Sequence, residues 1–131
     1  MFINLSNHPS NEWTKEQLRA ASVWGEILDI PFPSIDPLLN EQEVEILVTA
    51  YLSKIRAIRP VDNSIFVIHL MGELTFCFAL VARLQQDGIR CVASTTKRET
   101  KSGIDGIKQT CFRFIRFRDY LQLTKSTDWV R

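Results

Sequence analysis

Histidine and cysteine are scarce in this chain: two of the first and three of the second in 131 residues. Cys77, Cys91 and Cys111 stand far apart, each beside an apolar residue, and no Cys-x-x-Cys pair occurs. That spacing argues against a zinc centre and a disulfide framework. It predicts three small buried hydrophobes in a reducing compartment. No run approaches the roughly 18 apolar residues that a membrane-spanning helix needs. Residues 1–5 lack a basic flank, a long apolar stretch and a cleavage site, so no secretory signal is expected and the cytoplasm is the expected location. Gly-x-Ser-x-Gly, Gly-x-Gly-x-x-Gly and Walker A sequences are missing, which argues against an α/β-hydrolase elbow and the common phosphate loops. No cluster of carboxylates stands where two metals could sit. Neither a metal nor a cofactor is expected.

What remains is an ordinary globular composition, 45% apolar and 24% charged, in a length that suits one domain over residues 1–131. The net charge of +1 conceals an asymmetry. Residues 1–89 hold six basic and eleven acidic side chains; residues 90–131 hold ten basic and four acidic. The last third therefore has the makings of an anion-binding rim.

Residues 2–6 alternate as a first strand, and Asn7-His8-Pro9-Ser10 turns the chain. Thr14 with Gln17, and again Asn40 with Glu43, form capping boxes that open two helices, over about 14–24 and from 41 to the residue before Pro60. Between them residues 26–30 read as a strand, followed by three prolines at 31, 33 and 37 that forbid regular structure. Residues 64–71 are apolar on both faces, the pattern of a central parallel strand. Gly72 then leads into a helix over Glu73–Asp87, apolar almost all round and so expected to be the most buried. Residues 89–95 predict a fourth strand, 99–106 a mobile loop, and 108–118 a long last strand. The last connection is too short for a crossover helix, so this strand should pair antiparallel. The pattern predicts an α/β fold: a Rossmann-like three-layer sandwich, mostly parallel, in the order 2-1-3-4-5, with an antiparallel last strand.

In such sheets ligands bind beyond the carboxyl ends of the strands, where the winding reverses, here between strands one and three. That edge should collect Ser6, Asn7, His8 and Ser10 from strand one, Gly72, Glu73 and Thr75 from strand three, and Ser94, Thr95, Thr96, Lys97 and Arg98 from strand four. Hydroxyls followed by cations suit phosphate oxygens or ribose. Gly72 would let a ligand approach backbone amides at a helix N-terminus. His8 could donate to phosphate or act as general acid or base, or it could simply shape its turn. His69, inside an apolar strand, reads as a satisfied core histidine. Arg116 and Arg118 lie toward the opposite end and are left out of the site.

Four segments carry a resemblance: Asn4-Leu-Ser-Asn-His-Pro-Ser10, Gly25-Glu-Ile-Leu-Asp-Ile-Pro-Phe-Pro33, Met71-Gly-Glu-Leu-Thr-Phe76 and Cys91-Val-Ala-Ser-Thr-Thr-Lys-Arg98. Together the chain resembles small stand-alone CRISPR-associated proteins of the CARF (CRISPR-associated Rossmann fold) and ring nuclease group. That resemblance implies antiviral defence, a cyclic oligoadenylate bound across the two-fold of a homodimer, and metal-independent cleavage of the ring. By it, Ser6, Asn7 and His8 match the first ligand loop, and Gly72 and Thr75 the second. A ribose 2′-hydroxyl would attack the adjacent phosphorus, with Lys97 or Arg98 stabilising charge and His8 protonating the leaving 5′-oxygen. The group often carries a lysine at the helix start, where this chain has Glu73 and Leu74. Neither a membrane nor duplex nucleic acid is expected as a partner. Two other readings stay open: a small enzyme acting on another nucleotide or phosphorylated metabolite, and a non-enzymatic interaction module using Arg113, Arg116 and Arg118.

Overall fold

The computed structural model describes residues 1–123. Its elements in chain order are β1 (Phe2–Ser6), α1 (Lys15–Ser22), β2 (Ile27–Asp29), α2 (Glu41–Ile58), β3 (Val67–Met71), α3 (Leu74–Gln86), β4 (Arg90–Ser102) and β5 (Lys108–Asp119). The five strands form one sheet in the order β2-β1-β3-β4-β5. Every pairing is parallel except β4 with β5. The fold class and strand order expected from the sequence are those observed.

The capping residues work as their chemistry dictates. Asn40 Oδ1 accepts from the Glu43 amide at 2.9 Å while the Glu43 carboxylate accepts from the Asn40 amide, a complete capping box. At α1 only half of the expected box forms: Thr14 Oγ1 accepts from the Gln17 amide at 3.3 Å without a reciprocal bond from the Gln17 side chain, and Gly25 follows α1 with φ at +111°, a value that favours glycine.

Alternation along the strands sorts the core into two layers. Ile3, Leu5, Ile68, Leu70 and Cys91 face α2 and α3, meeting Val48, Leu52, Ile55, Phe76, Leu80 and Leu84. On the other face Phe2, Val67, Val92, Phe114 and Phe117 pack with Ala21 of α1 and with Trp13 and Trp24. Five buried side chains make α3 the most buried helix, against three on α2 and one on α1. Its burial is one-sided all the same: Leu74 and Phe78 are exposed, on the side of α3 turned away from the sheet and α2.

Three expectations need correction. Residues 99–102 belong to β4 and are not part of a loop; the turn is confined to residues 103–107. Beyond Thr96 and Phe114 this hairpin leaves the sheet as a two-stranded ribbon whose side chains are mostly exposed, so residues 97–102 carry no apolar alternation. Cys111 sits on that ribbon and is exposed, whereas Cys77 and Cys91 are buried as expected, their thiols pushed up to about 12 by loss of water. The central strand begins at Val67; Ser64 and Ile65 before it are exposed.

The ribbon also carries an irregularity that decides what faces the site. Thr95 stands opposite Arg116 but Thr96 stands opposite Phe114, so Ile115 is an extra residue in β5. A bulge of this kind shifts the alternation by one. Phe114 and Phe112 therefore share the face of Thr96, a face that Ile115 and Arg113 would otherwise occupy.

Candidate functional site

On the face covered by α1, β1 presents Phe2, Asn4 and Ser6; β3 presents Val67, His69 and Met71; β4 presents Val92, Ser94 and, past the bulge, Thr96. The first residue of each row is apolar and lies under α1. The later ones are mostly polar and run to the carboxyl edge. With eight residues α1 spans only about 12 Å, too short to cover both halves of the rows. The uncovered half is the floor of a cavity of about 540 Å³. Asn7 and His8 form one rim, Trp13, Thr14 and Gln17 the adjoining wall, and Phe112 and Phe114 of the ribbon the wall opposite.

Sheet register brings three polar residues into line across the floor. Asn4 is the direct neighbour of Asp29 on β2 and of His69 on β3. Asn4 Nδ2 donates to Asp29 Oδ1 at 2.8 Å and to the His8 carbonyl at 2.9 Å. Both partners are acceptors only, so the orientation of the amide is determined by chemistry. Asn4 Oδ1 then accepts from Ser6 Oγ at 2.8 Å and from His69 Nδ1 at 2.8 Å. His69 is thereby held with its proton on Nδ1, which leaves Nε2 as an acceptor, 3.2 Å from Ser94 Oγ. Asn4 and His69 are almost wholly buried, and every buried side-chain polar atom among the described residues has a partner.

The His69 ring lies in an aromatic box: Phe2 stacks on it at 6.0 Å, and Trp13 and Phe117 meet it edge-on at 5.4 and 5.2 Å. Burial disfavours the charged imidazolium and the nearby His8 adds to that, lowering its pKa to about 4. Trp13 Nε1 donates to the His8 carbonyl at 3.1 Å, while Asp29 accepts from the Ser10 hydroxyl at 2.7 Å and the Ser10 amide at 3.1 Å. The Asn7–Ser10 loop is thus pinned through its backbone. The His8 side chain stays exposed on the rim.

Of the residues that the sequence placed at this edge, Ser6, Asn7, His8, Gly72, Ser94 and Thr96 line the one cavity. The others do not. The Ser10 hydroxyl is committed to Asp29. Glu73 turns its carboxylate back onto its own helix, accepting from the Thr75 and Phe76 amides at 3.1 and 2.8 Å and from the Thr75 hydroxyl, which holds its pKa below the usual range. The N-terminus of α3 is therefore capped by the chain itself, and Thr75 lies instead in a groove beside Leu39 and Ala79. Thr95 bonds to the Arg116 carbonyl on the opposite face, the face from which Lys97 also projects beside Arg113. Arg98 stands opposite Phe112 and shares its face, just beyond the cavity wall. No lysine or arginine among the described residues lines the cavity. Gly72 has a packing reason to be glycine: a Cβ there would sit 2.2 Å from the Phe32 ring.

His69, Trp13, Thr14, Gln17, Phe112 and Phe114 were not expected in a site. The signal for His69 was present in the sequence. Asn4, Ser6, His69 and Ser94 are polar residues at matching positions of otherwise apolar strands, and such residues must find partners in one another. Among the described residues no three His, Cys, Asp or Glu side chains come together as metal ligands would, and no helix is long and apolar enough to cross a membrane. No curated protein and no solved structure matches the chain. A sequence model described as the uncharacterized protein MJ1673 family matches residues 1–118, nearly the whole described fold, and the chain belongs to that family.

Proposed function

We propose that the protein binds a cyclic oligoadenylate in this cavity, as a cytoplasmic homodimer of CRISPR-associated antiviral defence, and that it cleaves the ring without a metal. The observation that carries this reading is the division of labour around the cavity. Trp13, Phe112 and Phe114 supply aromatic walls on which a base can stack. Ser6, His69, Ser94 and Thr96 supply a floor of hydroxyls and imidazole suited to ribose and phosphate oxygens. A volume of about 540 Å³ lies within the range of small-molecule sites. With no cation in the walls, the charge of a phosphate above the floor is met from the rim, where His8 and Arg98 stand. A ring made of repeated nucleotides presents several equivalent units, and two copies about a two-fold engage it symmetrically.

Thermal-shift measurements with cyclic tri-, tetra- and hexa-adenylate beside linear adenylates, followed by chromatography of the products, test this. A rise in melting temperature with one ring and not with linear strands of the same length is the expected result. Equal shifts with linear nucleotides, or none, would sink the proposal.

A further inference from the structure

The floor of the cavity holds a hydroxyl and an imidazole, Ser94 and His69, with the Asn4 amide buried behind them. We propose that Ser94 is a nucleophile, activated by a Ser94–His69–Asn4 relay, and that it attacks phosphorus in a phosphodiester. The proposal rests on the cavity being a phosphate-ligand site, and it departs from attack by the ligand's own 2′-hydroxyl.

The geometry meets the requirements of an activated nucleophile in turn. Ser94 Oγ lines the cavity, and His69 Nε2 lies 3.2 Å behind it. The base is oriented by a third group: Asn4 Oδ1 accepts from His69 Nδ1 at 2.8 Å, which compels Nε2 to be the acceptor. Asn4 is itself held by the Asp29 carboxylate at 2.8 Å and the His8 carbonyl at 2.9 Å, so the relay has no loose end. Among the described residues the one competitor for the hydroxyl proton is the Met71 thioether, 2.9 Å from Oγ, and sulfur is the weaker acceptor. Burial keeps the imidazole unprotonated through the neutral range and also weakens it as a base, so it takes the Oγ proton only as the bond to phosphorus forms.

In the first step the Ser94 Oγ–P bond forms and the ester P–O bond to the leaving ribose breaks. The Oγ proton passes to His69 Nε2, and the leaving oxygen takes a proton from His8, whose side chain lines the same cavity. In the second step water attacks phosphorus, the Oγ–P bond breaks, and the two protons return to Ser94 and His8. The net reaction consumes one water and opens one phosphodiester.

A fluorophosphonate probes this without any nucleotide, because an unactivated serine does not displace its fluoride. Peptide mass spectrometry on the wild-type chain should find the adduct on Ser94. Thr100→Ala, which removes a hydroxyl on the exposed ribbon outside the cavity, should keep it, and Ser94→Ala should abolish it. His69→Gln, shown folded by circular dichroism, should slow labelling on the order of 10²–10⁴-fold. No adduct, an adduct on another hydroxyl, or unchanged labelling in folded His69→Gln would overturn the relay. If His69→Gln does not fold, the position and existence of the wild-type adduct decide alone. A ring built from 2′-deoxyadenylate adds the second arm. If it binds it should still be cleaved, and binding without cleavage overturns Ser94 as nucleophile. Labelling of Ser94 in a protein that binds no cyclic adenylate leaves the relay standing and removes only the ligand.

Discussion

Lowering the pH from 7 to 5 is expected to cost the fold about 2 kcal/mol through His69 alone. The ring ordinarily protonates near 6.5, and in the folded protein only near 4. Between those values the unfolded chain binds more protons than the native one, so stability falls as the pH falls. The contribution is fully present above 6.5, declines by about 1.4 kcal/mol for each pH unit below it, and is spent near 4. The acids with depressed pKa values, Asp62, Glu73, Asp87 and Asp119, add little between pH 7 and pH 5, since even their ordinary values lie at 3.8 to 4.5. Urea unfolding of the wild-type chain at pH 7 and pH 5 measures the loss. His8→Ala, which removes the other histidine and its minor part in the lowering, should keep most of the loss, since burial is the larger cause. A stability that is level or higher at pH 5 would refute the picture of a neutral imidazole sealed in an aromatic box.

Three further outcomes follow from the same contacts. Asn4→Ala leaves the buried His69 Nδ1 without its acceptor, whereas exposed Asp29 keeps its bonds from Ser10 and the His8 carbonyl keeps the one from Trp13 Nε1, so it should destabilise by about 1–3 kcal/mol in urea titration, the range for one buried group left unsatisfied; no loss at all would show the network to be idle. Gly72→Ala drives a methyl into the Phe32 ring, which is itself wedged against Phe76 at 5.3 Å, and should cost about 1–3 kcal/mol. Combining it with Phe32→Leu should recover part of that loss, and strict additivity of the two would count against the clash. Arg98→Ala should weaken cyclic oligoadenylate binding by about 1.5–3 kcal/mol while Lys97→Ala changes it little, because the two project from opposite faces of the ribbon; a stronger effect at Lys97 in calorimetry would place the ligand on the other side.

The sheet order was legible because each strand and helix carries its own punctuation: Asn40 with Glu43, Gly25 after α1, and an apolar 66–70 that suits only a central strand. The carboxyl-edge argument reached six of the residues that line the cavity without a structure. What it could not reach depends on which way side chains point. Lys97 and Arg98 are neighbours in sequence but face apart. Glu73 satisfies the helix end that a ligand was expected to fill. The bulge at Ile115 does leave a trace, since Phe112 and Phe114 are two apart but Phe114 and Phe117 three. The antiparallel pairing was expected, but the reach of β4 through residues 97–102 was not, because those residues are polar and mostly exposed and carry no apolar face to mark a strand.

Titration calorimetry with the cyclic oligoadenylate that gives the largest thermal shift, run on the wild-type chain and on Thr96→Trp, bears most directly on the cavity as the ligand site. Thr96 opens into the cavity and not into the core, so an indole there fills the space between Ser94 and Phe114. Binding at one ring per two chains, lost in a Thr96→Trp protein whose melting temperature is preserved, is the expected result. Undiminished binding to folded Thr96→Trp would contradict it.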